Sequence, residues 1–106
     1  MSGNSFLVDT NIFIYLLNGN ERIADILQGK NIYCSFVTEL ELKSSKKYTL
    51  TEEKIITGIL KETHILDINS QIKINTILFR KKYGLKLPDA IIAATSTFIN
   101  TFNYGR

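Results

Sequence analysis

Three carboxylates stand at points where the chain changes from one kind of segment to another. Asp9 closes the apolar run Phe6-Leu7-Val8. Glu41 follows the β-branched and aromatic run Ile32–Val37, in the first turn of a helix expected from Thr38. Asp89 comes directly after Pro88 and opens the last apolar segment. In an open α/β sheet the carboxyl ends of the strands and the helix starts facing them share one crevice. Three carboxylates gathered there repel one another unless a cation sits among them. Oxygen-only ligation suits Mg²⁺ or Mn²⁺. Such an ion lowers the pKa of a bound water and clamps a phosphodiester oxygen.

Each acid also has an ordinary structural role open to it. Asp9 can close a turn with Asn11, since both residue types favour turns. Glu41 fits a capping box, Thr38-Glu39-Leu40-Glu41, in which it would bond the backbone N–H of the cap. Asp89 can be an N-cap and nothing more. Spacing alone leaves these roles and the metal site side by side.

Other chemistries are excluded more firmly. Cys34 is the only cysteine, so no internal disulfide and no multi-cysteine metal site can form. It lies inside a strand and reads as a small buried apolar residue. His64 is the only histidine, begins a strand, and has no partner at ligand spacing. The scattered glycines form no phosphate-binding loop.

The elements that position the acids can be read from hydrophobic pattern. Phe6–Val8, Ile32–Val37 and His64–Ile68 read as buried strands. Helices are expected over Ile12–Leu17, Glu21–Gln28, Thr38 to about Lys47, from Thr51 through Leu60, from Asn69-Ser70 to Gly84, and over Asp89 to about Asn100. Strands separated by helices imply a parallel sheet covered on both faces. The expected class is α/β, in one domain spanning residues 1–106.

The chain has 106 residues, 13 Lys and Arg against 10 Asp and Glu, and 44% apolar residues. That is the composition of a single globular domain, and it permits a nucleic-acid partner without demanding one. Lys43, Lys46, Lys47, Lys73, Arg80, Lys81, Lys82 and Lys86 could approach an RNA backbone, and Arg80-Lys81-Lys82, which precedes Asp89 by only a loop, is the first choice for phosphate contact; solvated helix faces and favourable charges at helix ends are the plainer reading of the whole set. Tyr15, Tyr33, Tyr48, Tyr83 and Tyr104 could stack bases, but most of them are expected in the core or at its boundary. Met1-Ser2-Gly3-Asn4-Ser5 has no basic start of a leader, and no apolar run approaches the ~18 residues that cross a bilayer. The cytoplasm is the expected compartment.

Phe6-Leu7-Val8-Asp9-Thr10-Asn11, Thr38-Glu39-Leu40-Glu41-Leu42 and Leu87-Pro88-Asp89-Ala90-Ile91-Ile92-Ala93-Ala94-Thr95 together resemble the PIN domain, and within it the VapC ribonuclease toxins of toxin–antitoxin pairs. The likeness runs from about Phe6 to Asn100, and its third segment is the most specific. It implies a three-layer α/β/α fold with a short parallel sheet, three strands in the order 3-2-1. It implies a metal-dependent endoribonuclease using Mg²⁺ or Mn²⁺, with an RNA substrate and an antitoxin protein as partner. By resemblance Asp9, Glu41 and Asp89 fall on the acidic metal-site positions, and Thr10 and Asn11 on supporting ones. Glu39 is one helical step away and takes no ligand role.

The family pattern continues beyond the last helix with a strand carrying a fourth acid. Here no Asp or Glu follows Asp89, so the chain reads as C-terminally shortened and lacking those strands. Strand one would then form an open edge, covered by a second copy in a homodimer, by another chain, or by the tail Thr101–Arg106. The apolar helix Ile12–Leu17 is an expected part of the antitoxin docking surface. Two functions therefore stand: the ribonuclease, and a catalytically weak PIN-like module that binds an antitoxin or itself.

Overall fold

The structure, a computed structural model, describes residues 4–102. Its order is β1 (Ser5–Leu7), α1 (Thr10–Leu17), α2 (Glu21–Leu27), β2 (Asn31–Ser35), α3 (Phe36–Ser44), α4 (Leu50–Lys61), β3 (His64–Leu66), α5 (Ser70–Tyr83) and α6 (Leu87–Phe102). The three strands pair in the order β1-β2-β3. Both pairings are parallel, with Phe6 opposite Ile32 and Cys34 opposite Ile65. The α/β class and the 3-2-1 order are therefore as expected, and among the described strands β1 stands at a sheet edge.

Two cores explain the layering. On one face Val8, Phe13, Cys34, Leu42, Ile56 and Leu60 come together from the residue after β1 and from β2, α1, α3 and α4. On the other, Val37, Ile72, Ile91 and Ala94 join α3 to the α5–α6 pair. Helix α3 thus serves both cores from opposite ends. Phe13 is 2% exposed, and burying such a ring stabilises the fold by about 1.5–3 kcal/mol. Small residues on α6, Ala90 and Ala94, are fully buried and let α5 approach closely. The buried hydroxyls of Thr76 and Thr95 donate to the carbonyls of Ile72 and Ile91, each at 2.7 Å, so neither is left without a partner.

Caps set the helix limits and correct several expected boundaries. The second strand stops at Ser35, not Val37, because the Ser35 hydroxyl accepts from Val37 N–H at 3.1 Å and starts α3 there. Phe36 and Val37 have strand-like side chains, yet they face the second core from a helical turn. Helix α4 starts at Leu50, one residue before the expected Thr51, because Thr49 caps it: Thr49 and Glu52 exchange bonds in a capping box. The third strand ends at Leu66, two residues short of Ile68. Asn69 caps α5, and Gly84 ends it with φ of 65°. That left-handed conformation suits glycine, which has no Cβ to clash.

Helix α6 begins at Leu87, with Pro88 in the first turn, where a missing N–H costs nothing. Helix α1 does not present an open apolar face. Phe13 is buried, Ile12, Leu16 and Leu17 pack on the first core, and only Tyr15 is largely exposed. Of the other tyrosines, Tyr33 and Tyr48 are half-buried and Tyr83 is exposed; Tyr104 lies outside the described residues. The tail expected to cover β1 also lies largely outside them. Among the described residues no helix is long and apolar enough to cross a membrane.

Candidate active site

Strands β1 and β2 run parallel, so their carboxyl ends lie at the same end of the sheet. The ladder extends one residue past β1, where Val8 N–H donates to Tyr33 C=O at 2.9 Å. Asp9 is the next residue. It caps α1, its Oδ1 accepting from Ile12 N–H at 3.2 Å. The turn role is thus real, and it occupies one carboxylate oxygen while the side chain stays exposed.

Glu41 is the sixth residue of α3, in its second turn, because the helix starts at Phe36. The capping-box reading of Glu41 is therefore wrong: Thr38 lies inside the helix and Ser35 is the cap. Glu41 instead accepts from Thr10 Oγ1 at 2.6 Å. The same hydroxyl lies 3.3 Å from Thr38 Oγ1, which is fully buried. A hydroxyl has one proton to give, and the shorter, charge-assisted bond takes it. Thr10 therefore ties the start of α1 to α3 across the strand ends.

Asp89 is the third residue of α6 and not its cap, since Ala90 N–H already bonds Lys86 C=O at 2.9 Å. Its carboxylate is exposed and makes no hydrogen bond or ion pair among the described residues. Helix α6 packs on β2 and α3, which brings its first turn to the same end of the sheet.

The result is one cavity of about 560 Å³ lined by Asp9, Glu41 and Asp89 together with Thr10 and Asn11. The three predicted acids and both predicted supporting residues are thus neighbours in space. Their carboxylates are spread around the cavity and not drawn onto one point: no group of three His, Cys, Asp or Glu among the described residues is placed to hold a metal ion directly. Asn11 lines the cavity without bonding Asp9, whose recorded partner is Ile12 N–H.

The cavity is also lined by one of the basic residues and one of the tyrosines that the sequence offers for RNA contact. Lys47 and Tyr48, from the loop between α3 and α4, form part of the wall. Arg80 and Lys81 line a different depression, with Ile77, Gly84 and Leu85. Lys82 lies over the ring of Tyr83, its Nζ 5.2 Å from the centroid. Glu39 pairs with Lys43 at 3.1 Å, apart from the cavity. Cys34 is fully buried, and burial, helped by the charge of Glu39, pushes its thiol from 9.0 up to about 12. It is no nucleophile. His64 is exposed and stacks on Tyr33 across β2 and β3, with ring centroids 4.7 Å apart.

Comparison with known proteins gives a consistent result. The PIN domain profile matches residues 6–101. A solved structure described as a toxin-antitoxin complex from Klebsiella pneumoniae superposes with a TM-score of 0.75 at 33% identity, covering 89% of this chain and 79% of that one. No curated protein gives a significant match.

Proposed function

The chain belongs to the PIN domain family, and from that premise we propose that it is a metal-dependent endoribonuclease of the toxin type, cutting RNA phosphodiesters at the cavity lined by Asp9, Glu41 and Asp89. The observation that carries the reading is the meeting of these three carboxylates, from three separate elements, around one open cavity. A structural purpose for each acid alone would not require them to share it.

The donor set fits a hydrated Mg²⁺ or Mn²⁺. Mg²⁺ keeps several of its waters and is usually held through one or two carboxylates, so a spread set of acids suits it better than a tight cage. Asp9 and Glu41 each spend an oxygen on a protein donor and keep the other for the ion or its waters. Asp89 has both oxygens uncommitted. When bound, the ion supplies an activated water and charge neutralisation at the phosphate.

The remaining work falls to the chain's own groups. Thr10 fixes the Glu41 carboxylate, and the α1 cap fixes that of Asp9, so both are oriented before substrate arrives. Asp89, the uncommitted acid, is the group best able to accept a proton from the attacking water. An antitoxin protein is the proposed partner, supported by the toxin-antitoxin complex to which the chain is similar. Among the described strands β1 is at the end of the order, which is where the strand of a second copy or another chain would add to the sheet.

The test is to incubate the folded chain with unstructured RNA, with and without Mn²⁺, beside Asp89→Asn. Metal-dependent cutting that the variant loses supports the nuclease. Well-folded protein that cuts under no metal condition supports instead the second reading, a PIN-like module acting by protein binding.

A further inference from the structure

The cavity that the acids line also carries a cation with no carboxylate partner among the described residues. Helix α3 ends at Ser44, and Lys47 sits in the short loop before α4. Lys47 is the one basic side chain lining the cavity among the described residues. The only ion pair among those residues joins Lys43 to Glu39, so the Lys47 ammonium has no carboxylate partner. It lies instead over the ring of Tyr48, with Nζ 5.4 Å from the centroid. Cation–π attraction of this kind holds an ammonium without cancelling its charge.

The loop itself is pinned. Lys47 N–H donates to Ser45 Oγ at 3.4 Å, Tyr48 packs against the first core, and Thr49 caps α4 in its capping box. The ammonium is thus carried on a pinned loop that lines the acidic cavity.

Three carboxylates repel the phosphates of RNA. A divalent ion among them leaves one negative charge, and Lys47 cancels it. We propose that Lys47, steadied by the Tyr48 ring, is a substrate-binding residue that takes a backbone phosphate of single-stranded RNA beside the bond to be cut; this rests on the nuclease reading of the same cavity. Arg80 and Lys81 line a separate depression and do not share this role.

A phosphate contact has signatures that a structural lysine lacks. It acts on every RNA sequence alike, and it contributes about 0.7 to the slope of log affinity against log salt. Binding of a fluorescent, unstructured oligoribonucleotide is measured in Mg²⁺ by anisotropy, in an Asp9→Asn background that prevents cutting but keeps the α1 cap. The expected result for Lys47→Gln is about three- to five-fold weaker binding, equal across sequences, with the salt slope reduced by about 0.7. Lys47→Arg restores both, and Tyr48→Leu gives part of the loss while Tyr48→Phe gives none. In the active chain, Lys47→Gln raises KM by a similar factor, leaves kcat unchanged and does not weaken Mn²⁺ binding, because the ammonium it removes repels the ion. Unchanged binding and salt slope in Lys47→Gln overturn the proposal, whether or not the chain cuts RNA. A chain that binds RNA through Lys47 but never cuts it leaves the proposal standing as a binding site and removes the nuclease reading. Absence of any RNA binding by the parent overturns both.

Discussion

The Thr10 hydroxyl donates to Glu41 Oε1 across 2.6 Å, joining the helix that follows β1 to the helix that follows β2. The two residues are 31 positions apart in the chain. Their bond holds the Glu41 carboxylate at the strand ends, and behind it the fully buried Thr38 lies 3.3 Å from Thr10 Oγ1.

Removing that bond is expected to loosen the site more than the fold. Thr10→Val keeps the shape of the side chain and deletes the donor. Partners of metal ligands typically contribute 10–100-fold to affinity or activity, so a fall of about ten-fold in Mn²⁺ affinity is expected. The stability cost should be about 1 kcal/mol, the usual net value of one hydrogen bond. Thr10→Ser should restore both. Calorimetric titration with Mn²⁺ and urea unfolding read the two quantities separately.

Asp9 serves two purposes that substitution can separate. Asn caps a helix as well as Asp does, so Asp9→Asn should leave the urea midpoint nearly unchanged and abolish RNA cutting. Asp9→Ala should abolish cutting and also cost about 1 kcal/mol, because Ile12 N–H loses its acceptor. Equal stability of the two variants would contradict the cap assignment.

Cys34 predicts the alkaline limit of the fold. Its thiol pKa lies near 12 in the native state against 9.0 when free, so the native state holds this proton more tightly than the unfolded one. Its contribution to stability is complete below pH 9.0 and is lost as pH rises towards about 12. Urea midpoints should fall over that window in the parent and fall less in Cys34→Ala. At pH 8 the native thiol should resist a thiol reagent that labels it readily in urea.

Much of this architecture is legible in the sequence because it is written in local terms. Short apolar runs ending in polar residues mark the strands, and Asn69 with Gly84 brackets α5. The acids fall at element boundaries, which is why Asp9, Glu41 and Asp89 stand out and do share a cavity. What could not be read depends on contacts between distant segments. Ser35 starts α3 early because its buried hydroxyl caps the helix, overriding the strand preference of Phe36 and Val37. That shift of the helix start turns Glu41 from a capping residue into a partner for Thr10. Lys47 was one lysine among many until the α3–α4 loop placed it at the cavity. Arg80-Lys81-Lys82 is near Asp89 in sequence, but α5 carries Arg80 and Lys81 to another depression.

The central claim is that Asp9, Glu41 and Asp89 act on one divalent ion. Mn²⁺ binding followed by electron paramagnetic resonance tests it directly, in the parent chain and in Asp9→Asn, Glu41→Gln and Asp89→Asn, each checked for folding by circular dichroism. The account predicts a saturable Mn²⁺ site in the parent that each substitution weakens. No saturable binding by the folded parent, or binding that is indifferent to one of the three substitutions, would contradict it.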